Sequence, residues 1–240
     1  MNGNTHMTLK NHIKLLSFVL IITVLSGCKF DRRPAAEKGI TEGTIIYNIT
    51  YPEQVSNALS FLFPNQMSLH FSNGNQRIMF KGNMNLYALD FIHNQESDSF
   101  YTLLKILERR IYVPSSKSDN MFIFDDDHSR KVEYIKNMEK EIAGFTCHLA
   151  QIPSDKAGSP EISIWYSNEI GMDNPNRNTP FDMIPGLIME FQLTYENVIF
   201  HLEAQRVVEE SHPDYFFMVP ANYEQSSLEE VEELIKTVFN

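Results

Sequence analysis

In residues 187–193 apolar and polar side chains take turns: Leu187, Met189, Phe191 and Leu193 are apolar, and Glu190 and Gln192 fall between them. A period of two belongs to a strand with one buried and one wet face, and a helix of period 3.6 cannot satisfy it. The alternation recurs in Ile45, Tyr47, Ile49 and Tyr51, and again in Val198, Phe200, Leu202 and Ala204. Residues 67–71 and 77–81 flank Ser72-Asn73-Gly74-Asn75, where Asn-Gly supplies the positive φ angles of a tight hairpin turn. Further strands are predicted at residues 86–92, 101–107, 110–113, 121–124, 132–135, 145–152 and 161–167, each bounded by polar or turn residues. One greasy face per strand demands antiparallel pairing, since a parallel sheet is covered on both sides.

Two segments change period. Pro52 opens a stretch with Val55, Leu59 and Leu62 at helical spacing, and proline is tolerated in a first helical turn, so a short helix is predicted there. Near the end, Leu228, Val231, Leu234, Ile235 and Val238 form one stripe, with Ser227 and Glu230 spaced as a capping box. The predicted class is α+β, mainly antiparallel β: a many-stranded sheet packed with a few helices including a C-terminal amphipathic one. Residues 153–160 and 171–180 read as loops.

The N-terminus follows a different logic. Residues 15–25, LLSFVLIITVL, are preceded by Lys10 and Lys14 and by no acidic residue, the pattern of a signal peptide. As a helix they reach about 17 Å, short of a hydrocarbon core of about 30 Å. The run ends in Leu25, Ser26, Gly27 and Cys28, which resembles the lipobox recognised by a lipoprotein signal peptidase. That resemblance implies removal of residues 1–27 and lipid attachment at Cys28, with a diacylglyceryl group on sulfur and a further acyl chain, palmitate or similar, on the amine. More than one acyl chain makes a stable anchor. Lys29 stands where the family rule places an aspartate for inner-membrane retention, which implies an outer-membrane destination in the cell envelope. Residues 28–42 contain a proline, small residues and mixed charge, and read as a lipidated tether. Residues 43–240 read as one β-rich domain.

Composition limits the partners. Removing residues 1–27 takes away Lys10 and Lys14 and no acid, leaving 18 basic against 31 acidic residues, a formal charge of −13. Such a balance repels phosphate and argues against nucleic acid. A hydrophobic fraction of 42% suits a globular core. Once Cys28 is acylated, Cys147 has no disulfide partner; it sits in an alternating stretch as a small inward hydrophobe.

The chain lacks Gly-x-Ser-x-Gly, a glycine-rich phosphate loop, His-Glu-x-x-His and Cys-x-x-Cys, so it is expected not to be an enzyme and to carry no cofactor, metal or catalytic residue. Asp125, Asp126, Asp127 and His128 lack the alternating ligands and central glycine of a calcium loop and read as a solvated turn. His201 and Glu203 share a strand face opposite the apolar set, so they belong on the wet side. Cys147 and His148 are adjacent and point to opposite faces, which prevents them from sharing a metal. Trp165, within Ile162-Ser163-Ile164-Trp165-Tyr166-Ser167, reads as a core or surface aromatic.

From residue 142 onward the chain reads IAGFTCHLAQI, EISIWYSNEI, FDMIPGLIMEFQL and DYFFMVPANYE. This order resembles the bacterial GLPGLI-type proteins and related lipoproteins, with Pro185-Gly186-Leu187-Ile188 on the signature and Met183 and Ile184 in place of its first Gly and Leu. The resemblance implies a layout similar to the LolA/LolB-like carriers, whose curved antiparallel sheet shelters acyl chains, and so a curved many-stranded sheet here, an open or half barrel. Pro185-Gly186 is read as a corner in which glycine permits positive φ. The expected function is that of a membrane-anchored envelope lipoprotein binding an apolar small molecule or lipid. The alternative is a non-catalytic subunit docking an envelope protein partner. Eleven Met and 17 Phe serve a filled or a hollow sheet equally well.

Overall fold

The computed structural model describes residues 39–53, 59–115, 121–124, 131–153 and 161–239. Twelve strands run in one sheet: β1 (Gly43–Thr50), β2 (Pro64–Ser72), β3 (Asn75–Gly82), β4 (Tyr87–Asn94), β5 (Ser99–Ile106), β6 (Arg109–Ser115), β7 (Glu133–Ile142), β8 (Phe145–Ile152), β9 (Ile162–Ser167), β10 (Leu187–Tyr195), β11 (Val198–Val208) and β12 (Glu224–Gln225). Among the described residues there is one α-helix, α1, at Leu228–Phe239. The order across the sheet is β12-β6-β5-β4-β3-β2-β1-β11-β10-β9-β8-β7. Two meanders, β1 to β6 and β7 to β11, are joined at the centre by the antiparallel β1–β11 ladder, in which Ile45 faces Val207 and Ile49 faces Leu202. All pairs are antiparallel except β12 with β6. The sheet is curved and open, with β12 and β7 at its two ends. Bulges at Ile46/Tyr47, Ile188/Glu190 and Ile135/Glu139 add the local bend and twist that a curved sheet requires.

Alternation sorts the side chains by face. Ile45, Tyr47 and Ile49 of β1 align across the ladders with Met67 and Leu69 of β2, Ile78 and Phe80 of β3, and Leu89 and Phe91 of β4. This inner face carries the main core, extended by Phe191 and Leu193 of β10 and Phe200 and Leu202 of β11. The helix closes one end of it. Val231, Ile235, Val238 and Phe239 are buried, and the Phe239 ring lies 4.6 Å from Phe63, 5.5 Å from Phe200 and 5.7 Å from Tyr195. The cap is in place, since Glu230 N–H donates to Ser227 Oγ at 3.2 Å. The Glu230 carboxylate turns to Arg109 and Ser226 instead of reaching back as a full capping box would.

The outer face has its own cover. After β11 the chain crosses the sheet through a 3-10 turn, Asp214–Phe217, which the sequence did not signal. Phe217 packs there with Ile92 and Leu103. Beneath it Arg77 Nη2 contacts Asp90 Oδ2 at 2.5 Å, and Arg77 Nη1 donates to the Phe216 carbonyl at 2.8 Å. Burial pushes the Asp90 carboxyl up, and the Arg77 charge works against that rise. The tail then adds β12 to the sheet edge and swings α1 onto the inner face.

Several expectations change. Residues 121–124 form a turn, not a strand: Phe124 N–H donates to the Met121 carbonyl at 2.9 Å, and Met121 N–H to the Asn178 carbonyl at 2.8 Å. The link from β6 to β7 must pass from near one end of the open sheet to the other, so this apolar piece covers the inner face instead of joining a ladder. Of the helix expected after Pro52, residues 54–58 lie outside the described residues, and Ser60–Leu62 is a 3-10 turn. In β10 the bulge leaves Leu187, Ile188 and Met189 all buried, and alternation begins only at Glu190. Gly186 is needed for close approach and not for positive φ: a Cβ there would lie 2.4 Å from the Ser167 carbonyl oxygen. Ile40 falls in the stretch read as tether, yet it is buried. Gly39 N–H donates to Glu169 O, and Gly171 N–H donates to Ile40 O, so the folded body reaches back to residue 39.

Candidate ligand-binding face

The inner face is where apolar surface, a covering segment and polar end groups meet. Its floor is built by alternate residues of β1 to β4, β10 and β11, and its roof by residues 121–124, the 171–180 loop and α1. Three small cavities lie in a row between floor and roof. The middle one, about 50 Å³, is lined by Tyr47, Leu69, Ile78, Ile123, Phe181 and Phe191 among others. A second, about 40 Å³, shares Ile78 and Met121 with it and adds Gln76, His93, Thr102 and Arg177. The third, about 20 Å³, shares Phe80 and Ile123 with the middle one and ends at Tyr195 and Phe239. Pockets that enclose a drug-sized ligand hold about 300–1,000 Å³. Among the described residues, the sheet is therefore filled, and much of the filling is Met121, Phe122, Ile123 and Phe124.

The roof loop is set by one side chain. Asn176 is buried; its Nδ2 donates to the carbonyls of Ile184 at 3.0 Å and Gly186 at 2.8 Å, and its carbonyl oxygen takes Ile188 N–H. Thr179 Oγ1 donates to the backbone carbonyl of Asn176 at 2.7 Å. A polar loop can lie against an apolar floor because its buried polar groups are satisfied from within.

The row of cavities has a polar group at each end. At one end Arg177 Nη1 donates to His93 Nδ1 at 2.7 Å, and His93 stacks on Phe100 with ring centres 4.5 Å apart. Burial, and then the Arg177 charge, hold the His93 imidazole below its usual pKa. An imidazole nitrogen that accepts from a guanidinium must carry its lone pair, which agrees with a neutral ring. At the other end the Tyr195 hydroxyl is buried with no hydrogen-bond partner among the described residues. Burial pushes its pKa up to about 12.

The residues singled out by sequence distribute as follows. Leu25, Ser26, Gly27 and Cys28 lie outside the described residues, as do Asp125, Asp126, Asp127 and His128. Cys147 is buried, with its thiol pushed up to about 11 by burial, the state of an inert core cysteine. His201 does not pair with Glu203; its Nε2 lies 3.1 Å from Glu190 Oε1. Glu190 also pairs with Lys140, whose ammonium sits 4.4 Å from the centre of the Trp165 ring, so this is a surface network. His148 faces Glu139. Sequence reasoning missed His70, Glu210 and His212, which converge on the outer face so that one ligand atom of each lies within 4.8 Å of the others. Only the alternation of β2, which puts His70 on the polar side, hinted at it.

No protein-family model matches the chain, and no curated protein sequence does. Among solved structures, PNGF-II in a C2 crystal form is similar over 82% of this chain, at 10% identity and a TM-score of 0.47. The match spans 33% of that chain, so this protein covers about a third of PNGF-II. LprF from Mycobacterium bovis is similar over 71% of this chain and 88% of its own, at 12% identity and a TM-score of 0.27. Neither likeness bears on ligand, activity or location. Among the described residues, no helix is long and apolar enough to cross a membrane.

Proposed function

We propose that the chain is a non-catalytic envelope lipoprotein, held at the outer membrane through acyl chains on Cys28, whose folded body binds an apolar ligand with an acyl chain. The observation that carries this reading is the apolar strap at residues 121–124 lying on an otherwise continuous greasy floor, with Arg177 and Tyr195 at the ends of the row of cavities. An acyl chain replaces the strap side chains like for like, and Arg177 meets an anionic head at the end of the row. The lipobox at Leu25, Ser26, Gly27 and Cys28, and the resemblance of the last hundred residues to GLPGLI-type proteins, support the same reading.

Protein purified from cells should release acyl lipid into organic solvent, detected by mass spectrometry, and a bound apolar dye should be displaced by fatty acid. Ile123→Ala loosens the strap and raises the fraction of open protein, so fatty-acid affinity should rise about tenfold, or about 1.4 kcal/mol. Ile78→Trp fills the floor of two cavities and should lower it. No released lipid together with no dye displacement would overturn the reading.

The alternative, an interaction subunit of an envelope assembly, draws on a different feature. Phe61, Met84 and Leu107 are 50%, 80% and 54% exposed at the sheet end where β3 turns into β4 and β5 into β6. Crosslinking at Met84 in intact cells should then recover one dominant protein, whereas a lipid carrier should recover many or none.

A further inference from the structure

The outer-face group of His70, Glu210 and His212 has the chemistry of a metal site. His70 stands on β2 opposite Thr44 of β1, and Glu210 and His212 follow β11 on the segment that begins to cross the sheet. Thr44 Oγ1 lies 2.8 Å from His70 Nδ1 and 2.9 Å from His212 Nε2, so both imidazoles turn a nitrogen toward one point. His212 Nε2 also lies 3.9 Å from Glu210 Oε1.

Two surrounding features suit a ligand role. The other nitrogen of His70, Nε2, is 2.9 Å from Ser68 Oγ. With the proton on Nε2 and donated to Ser68, the Nδ1 lone pair faces His212; metal-bound histidines are oriented by an outer partner in this way. Phe216 supplies an apolar wall, with its ring stacked on His212 at 5.0 Å and edge-on to His70 at 4.9 Å.

We infer that His70 Nδ1, His212 Nε2 and a Glu210 carboxylate oxygen bind one zinc ion that clasps the tail onto β1 and β2. Zinc takes His nitrogens at about 2.0–2.1 Å and carboxylate oxygen at about 2.0–2.2 Å in a tetrahedron, which places ligand atoms about 3.3–3.5 Å apart. The present spread within 4.8 Å closes to that with small movements, the largest by the exposed Glu210. Two imidazoles and one carboxylate favour zinc over magnesium or calcium, which prefer all-oxygen sites. Thr44 Oγ1 or water completes the fourth position.

The test uses the full chain, stripped with EDTA and titrated with zinc chloride. Expected are one ion per chain by calorimetry, a rise in Tm, and, with cobalt(II) instead, the intense visible absorption of a tetrahedral centre. His212→Ala should abolish all three and Glu210→Gln should weaken binding at least tenfold. His201→Ala and His148→Ala, at the other His–Glu contacts, should leave binding unchanged. Should His70→Ala fail to fold, His212→Ala and Glu210→Gln decide the matter, since both alter the tail and leave β2 intact. No stoichiometric binding, or binding that survives both tail substitutions, overturns the site.

Discussion

His93 shows how one residue links packing to pH. It is 4% exposed on the inner face, accepts from Arg177, and has Asp98 3.8 Å away. Its folded pKa is lowered by burial and by Arg177, so below about 6.5 the unfolded chain takes up a proton that the folded ring declines. The stability it contributes is therefore complete above about 6.5 and is lost as pH falls toward the folded pKa, with a slope of at most about 1.4 kcal/mol per pH unit. His93→Gln should flatten the dependence of Tm on pH as pH falls below about 6.5; an unchanged slope would refute the assignment. At this scale the sequence was informative wherever a residue acts through its own strand. Cys147 and the wet-side placement of His201 followed from alternation alone. The roles of Asn176, Gly186 and His93 did not, because each depends on a carbonyl, guanidinium or backbone supplied by a distant segment.

Among elements, α1 was legible to within a residue or two because its stripe, its cap and its period agree. The stripe also predicts unequal energies. Ile235 is 1% exposed and Leu228 is 42% exposed, though both occupy apolar positions of the same pattern. Ile235→Ala should cost about 2–4 kcal/mol in chemical denaturation, and Leu228→Ala less than about 0.5; equal losses would mean that the helix does not dock as described. The hairpin at Asn73-Gly74 was equally plain, and both residues have positive φ, 52° and 80°. Residues 121–124 were misread because four apolar residues in a row carry no period. What makes them a strap is the distance their connection has to travel, a property of strand order. The short β12 and the 3-10 turn at Asp214–Phe217 went unseen because each takes its shape from the edge or face it covers.

For the whole molecule, local pattern identified an antiparallel sheet but not its order, since nothing in the spacing of β1 says that β11 will lie beside it. The inner face was likewise anticipated as a class, and its filled interior was not, because side-chain composition is the same for a packed and a hollow sheet. The proposed anchor is a prediction at this scale. Cys28→Ser should prevent labelling by a fatty-acid analogue and shift the protein from the membrane to the soluble fraction of the envelope; a variant that remains labelled would remove the basis for envelope attachment. The central β1–β11 ladder sets a schedule. β1 is synthesised long before its partner β11, so during synthesis the first meander emerges with a naked β1 border able to zip onto a neighbouring molecule. Folding of this body is thus tied to the arrival of β11, and a holdase that shields that border would be of most use in the interval before residue 208 is made.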